Sequence, residues 1–202
     1  MGMYRTSRIC CLLLAFCHAI EVSSSELNWP ALWQGEVHVE ALEHDAGFPG
    51  LRASFVVPAA RERIWAVLLD YQNFPEIFPD INKIRVLEHD AQGAKVEYWV
   101  NAVLRKYHYV LYRHYEKPGW RLTWRRLSGD LQRIEGSWEV RETPRHGVHL
   151  VVYESYVQVG GVISTSLVRW GAIRKAREMG QRLRQWIVHG SVDPVAPRQQ
   201  DP

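Results

Sequence analysis

Three carboxylates, Asp70, Glu76 and Asp80, fall within the stretch LLDYQNFPEIFPD, interleaved with Tyr71, Phe74, Phe78 and two prolines. Acids that converge in a pocket can divide acid and base work, because desolvation raises the pKa of one while its neighbour stays ionised. Here Asp70 closes a helical pattern and the other two sit beside prolines. Capping and solvent exposure account for such positions more simply than catalysis. The aromatics of the same stretch carry more: Pro75 and Pro79 fix the backbone into a short broken helix, from which Phe74, Ile77 and Phe78 can point inward together. They are either core packing or a lid over a binding site.

Other chemistry has less to build on. His146 and His149 have metal-ligand spacing, but Pro144 and Gly147 put them at a hairpin turn with only Glu142 as a further ligand. His108 and His114 share a strand face yet stand about 20 Å apart along an extended chain, too far for one ion. No G-x-S-x-G elbow is present, and Ser137 lies within a strand pattern. Cys10, Cys11 and Cys17 are the only cysteines. No metal and no cofactor is expected.

Those cysteines lie in a segment of their own. Arg5 and Arg8 precede the uncharged run Ile9 to Ile20, and small residues follow at Ser23 to Ser25, the order of a secretory signal. Residues 1–25 are therefore read as a signal peptide, cleaved after Ala19 or Ser25, and the protein as periplasmic or secreted. The mature chain then has no thiol, which excludes disulfides and cysteine nucleophiles. A net charge of +3 is too small to indicate nucleic acid.

The elements that would position a site follow from the pattern of apolar residues. Residues 26–34 read as a linker. GEVHVEAL (Gly35 to Leu42) and LRASFVV (Leu51 to Val57) alternate as strands, separated by turn residues. From Ala60 the period changes: Ile64, Val67, Leu68 and Tyr71 form the apolar side of a short helix. After the opening stretch come six strand-like runs, INKIRVLE, AKVEYWVNAVLR, KYHYVLYRHYE, WRLTWRRL, LQRIEGSWEV and VHLVVYESYVQV, most of them separated by short turn signals. Short turns between sequential strands imply an antiparallel meander. Beyond Gly160 and Gly161, apolar residues from Leu167 to Ile187 recur at three- and four-residue steps, so a long amphipathic helix ends the domain at about residue 190. Residues 191–202 read as a loose tail. A meander with one apolar face needs a cover, and only this helix is large enough to supply it. The expected site is a tunnel between sheet and helix.

This order resembles the helix-grip architecture of the START-like superfamily (SRPBCC), also called the polyketide cyclase/dehydrase and lipid transport group. The resemblance is carried by VPAARERIWAVLLDYQNFPEIFPDI, by GDLQRIEGSWEV, and by Gly160-Gly161 with the helix that follows, and it covers Leu51 to Val188. It looks closest to the coenzyme Q-binding START-domain branch and the ribosome-association toxin relatives, which share a D-Y-x-x-F/Y-P-x-F-x-P element after the first helix, answered here by DYQNFPEIFP from Asp70 to Pro79. The resemblance implies one α+β domain over 35–190: a curved antiparallel sheet of about seven or eight strands wrapped around a long C-terminal helix, with two short helices after the first strands. It implies carriers, cyclases and binding modules alike.

Strand parity places Tyr98, Val100 and Ala102, Trp124, Ile134, Gly136 and Trp138, and Val151, Tyr153 and Val157 on one face. Met179 and Leu183 lie opposite on the helix, with Ala172 and Ala176 leaving room between. The expected ligand-binding residues are Phe74, Phe78, Tyr98, Trp124, Trp138, Tyr153, Met179 and Leu183, around a hydrophobic small molecule such as a lipid, quinone or polyketide-like compound. A filled core that serves a protein-interaction module is the bland alternative. The enzymatic alternative, a cyclase or dehydratase, would use His108, Tyr98 or Tyr153 as proton carriers. Arg169, Arg174, Lys175, Arg177, Arg182 and Arg184 make the outer side of the helix basic, which suits either transient contact with an anionic membrane or an ordinary solvated face.

Overall fold

The structure, a computed structural model, describes residues 27–101, 105–159 and 165–190. The segment read as a signal peptide, the residues read as a tail, Gly160, Gly161 and Ala102 lie outside the described residues. Alternating runs become the strands β1 (His38–Glu43), β2 (Pro49–Val57), β3 (Ile81–His89), β4 (Gly93–Asn101), β5 (Lys106–Lys117), β6 (Arg121–Gly129), β7 (Arg133–Glu142) and β8 (His149–Gln158). They form one antiparallel sheet in the order β1-β2-β8-β7-β6-β5-β4-β3. β2 pairs with β8, as in Ala53 opposite Tyr153, so the first two strands lie beside the last one and β3 forms the far edge.

The helices are α1 (Trp29–Trp33), α2 (Arg61–Leu69), α3 (Phe74–Ile77) and α4 (Thr165–His189). Between β2 and β3 the chain must travel from one side of the sheet to the other edge. It does so through α2, a 3-10 turn at Tyr71–Asn73, and α3. α2 buries Ile64, Val67 and Leu68, the residues its period selects. α4 packs on β2 and β1. Contact there is close at Gly180, where a Cβ would stand 2.9 Å from a Val37 methyl and 3.1 Å from the Phe55 ring. The main core joins Phe55, Val57, Val96, Leu122, Val140 and Val151 of the sheet to Leu183 and Ile187 of α4. This is the helix-grip fold, with a curved sheet holding its terminal helix.

One segment differs from its expected form. Trp29–Trp33, read as linker, is a helix of one turn, with Pro30 in its first turn and an Asn28 side chain that accepts from the Ala31 N–H. Its Leu32 is fully buried with Val56, Leu150 and Val152, the outward-facing residues of β2 and β8. Five residues are too few to display a helical period. The reason for the helix is tertiary: these two strands are apolar on both faces, and the outer one needs its own cover.

Candidate functional site

A cavity of about 370 Å³ lies between the concave face of the sheet and α4. That is within the range of small-molecule sites. Its floor is an aromatic wall built by cross-strand pairing. Tyr98 faces Tyr109 across β4 and β5 with their rings stacked at 5.5 Å. Trp138 faces Tyr153 across β7 and β8 at 4.6 Å, and Trp124 stacks on the same Tyr153 at 5.6 Å. Gly136, opposite Trp124, makes the last arrangement possible: a Cβ there would meet the Trp124 ring at 2.5 Å and run into the Glu154 carbonyl oxygen.

The roof and rim come from helices. Ala172, Ile173, Ala176 and Met179 of α4 face the cavity, and the two alanines leave it room. Phe74 and Phe78 close one side, edge to face at 5.1 Å. The segment that carries them is fastened from α4. The Arg182 guanidinium donates to the Ile77 carbonyl at 2.8 Å and to the Glu76 carbonyl at 2.6 Å, and Lys175 pairs with Asp80 at 2.8 Å. Arg184 donates to the Val56 carbonyl. The basic side of α4 is thus not simply a solvated face. Three of its cations hold the helix to the α3 segment and to β2, while Arg177 is exposed.

Seven of the expected site residues, Phe74, Phe78, Tyr98, Trp124, Trp138, Tyr153 and Met179, line this cavity. Leu183 does not; fully buried, it packs into the core beyond the cavity. Val100 and Val151 share the face but not the cavity wall. His108 is a correction. It points outward, stacked on Trp99 and bonded to Glu97 at 2.7 Å, because strand parity gives the inward positions of β5 to Tyr109, Leu111 and Arg113. It cannot carry a proton in the cavity. The opening carboxylates do not converge either: Asp70 accepts from the Asn73 amide, Glu76 is exposed, and Asp80 is in the rim ion pair. Among the described residues no three His, Cys, Asp or Glu side chains gather as a metal set, and His149 instead bonds the Ala59 carbonyl.

Parity reasoning passed over the inward residues of β5, Tyr109, Leu111 and Arg113, and the last of these bears most on chemistry. Only 2% exposed, it lines the cavity beside the aromatic wall. Its Nη1 is 3.5 Å from the Tyr98 hydroxyl and its Nη2 3.3 Å from the Leu68 carbonyl at the end of α2, both long contacts. The guanidinium lies 4.9 Å from the Tyr71 ring centre and 5.3 Å from that of Phe74. Its Nε is buried with no hydrogen-bond partner. Burial raises the Tyr98, Tyr109 and Tyr153 phenols above their ordinary value, with Arg113 acting in the opposite sense on Tyr98 and Tyr153. These tyrosines are therefore neutral hydrogen-bonding groups at neutral pH.

Comparison with known proteins bears on this architecture. The family model described as polyketide cyclase / dehydrase and lipid transport matches residues 57–184. A search of the curated proteins finds no match. Among solved structures, a STAR-related lipid transfer protein from Xanthomonas axonopodis superposes with a TM-score of 0.63 at 18% identity, covering 76% of this chain and 94% of that one. A START superfamily protein from Mycobacterium smegmatis gives 0.61 at 13%, covering 78% and 100%. An aromatase/cyclase from a Streptomyces species gives 0.55 at 16%, covering 77% and 100%. At such identities the likeness is one of fold.

Proposed function

The chain belongs to the polyketide cyclase / dehydrase and lipid transport family, and from that premise we propose that it binds a hydrophobic small molecule in the cavity between the sheet and α4. One observation carries the reading: a space of about 370 Å³, open on its rim side, lies between the sheet and α4 and is walled mostly by aromatic and aliphatic side chains. Interiors are normally filled to crystal-like density, so an open apolar space of this size has a use. Burial of ligand surface, at ~25 cal/mol per Å², supplies the affinity, and the tyrosine hydroxyls orient the ligand. The α3 segment with Phe78 is the entry flap. A lipid, a quinone or a polyketide-like compound would suit the wall. The Asp70 to Pro79 stretch keeps a quinone, the ligand of the coenzyme Q-binding branch, among these candidates.

The enzymatic alternative draws less support. The tyrosines inside the cavity hold their protons, His108 faces out, and the acids that reach the cavity, Asp80 and Glu178, belong to the rim side with Lys175 and Arg182. The order of Arg5, Arg8, the apolar run and Ser23 to Ser25 supports an exported carrier. N-terminal sequencing of the protein from its native envelope should then read from Ile20 or Glu26.

Native mass spectrometry of the purified full chain tests the binding function. A co-purifying apolar compound, released on denaturation and recovered in organic extract, is the expected result. A bare chain that also fails to take up an added apolar fluorophore would refute it.

A further inference from the structure

Arg113 is an interior cation without a counter-ion. Among the described residues no carboxylate pairs with it, and only two of the five N–H donors of its guanidinium are bonded, both at long range. Its Nε–H has no partner at all. A guanidinium does not escape by losing its proton. Burying such a charge unpaired is among the most costly arrangements in a protein interior. Stacking near Tyr71 and Phe74 offsets part of that cost, but rings accept no hydrogen bonds of the strength a guanidinium requires. The side chain that carries these open donors lines the cavity.

We infer that Arg113 and Tyr98 form a subsite for an anionic oxygen group, so that the ligand is an apolar molecule ending in a carboxylate. This rests on the cavity-binding reading above and names the class of ligand. Charge decides between acids. Apart from Arg113, the cations among the described cavity-lining residues are Lys175 and Arg182, and both are engaged at the α3 side of α4. One guanidinium balances one carboxylate charge and meets its two oxygens with a matching fork. A phosphate monoester, at about −1.5 to −2, would bring surplus negative charge into an apolar space. Tyr98 completes the pair: its hydroxyl accepts from Arg113 and keeps its own proton to donate to the acid. The empty site and the filled one then differ in the way a selective pocket should, since an alcohol or hydrocarbon of the same shape leaves the guanidinium unpaired.

Isothermal titration of the purified full chain with decanoate, decanol and decyl phosphate separates the possibilities. Decanoate should bind more tightly than decanol by about 10- to 100-fold, the worth of a charge-assisted hydrogen-bonded pair, and decyl phosphate should not exceed decanoate. Arg113→Met, which keeps an unbranched apolar stem and removes the charge, should abolish the decanoate preference while decanol binding changes less than about 3-fold. Tyr98→Phe should weaken decanoate alone, by about 5-fold. Equal binding of decanoate and decanol to the unmodified protein would overturn the inference and leave the apolar cavity standing. A decyl phosphate preference would overturn the choice of carboxylate. Binding of none of the three would remove both the subsite and the cavity reading. The comparison within the unmodified protein holds whether or not either variant folds.

Discussion

Arg113 shows how much one strand position can decide. The run KYHYVLYRHYE alternates, and Tyr109, Leu111 and Tyr115 are inward residues whose parity Arg113 shares. Its place was legible there, but a cation in an alternating strand is ordinarily assigned to the wet face, and only the paired register shows that it turns in. The aromatic wall was more accessible, because Tyr, Trp and Phe at inward parity have few other destinations. Gly136 marks the limit of such reasoning. A glycine in a strand signals a close approach without saying of what; the structure supplies the Trp124 ring. Gly136→Ala should cost about 1–3 kcal/mol in denaturant unfolding and shift the tryptophan emission as Trp124 is displaced. Titration adds a second expectation. The buried tyrosines hold their protons above the unfolded value of 10, so between that pH and their native values only the unfolded chain loses protons. Their contribution is complete below pH 10 and declines as pH rises further. Unfolding midpoints measured across pH 8 to 11.5 should be flat at first and then fall, by more than they do in Tyr109→Phe.

At the scale of elements, the α3 segment carries the account of entry. Its first turn contains Pro75, and its last carbonyls, which a four-residue helix cannot satisfy internally, are taken by Arg182 from α4. The stiff aromatic piece was evident in the spacing of prolines and phenylalanines, whereas its fastening was not: a bond between residues about a hundred positions apart leaves no local trace. Arg182→Met should therefore loosen the segment without emptying the core. Hydrogen exchange at Phe78 and Ile81, whose amides bond Phe74 and Phe78 carbonyls, should speed up, and release of a bound apolar fluorophore should accelerate about 3- to 10-fold, for a stability loss near 1 kcal/mol. Unchanged exchange with unchanged release would mean that the segment is a fixed wall. α1 illustrates the opposite limit, an element too short for any period, whose existence depends on the outer faces of β2 and β8.

For the whole molecule, the sheet order explains why a cavity exists. A meander that starts at one edge and returns beside β2 wraps a curved sheet around α4, and small residues along that helix fill less than the curve encloses. Period-2 runs, turn residues and one long amphipathic helix were enough to foresee this arrangement. The size of the space was not foreseeable, since it depends on how far the helix stands from the wall. If the space is a binding site, a saturating ligand stabilises the fold by mass action, about 2.7 kcal/mol at a hundredfold excess over Kd, and should raise the midpoint of thermal unfolding by several degrees. The most direct measurement locates the ligand. With decanoate bound, nuclear Overhauser contacts should join its chain to the Met179 methyl group and to the Trp138 and Tyr153 rings. Contacts confined to exposed Val86 and Leu87 on β3, with none inside, would contradict the account.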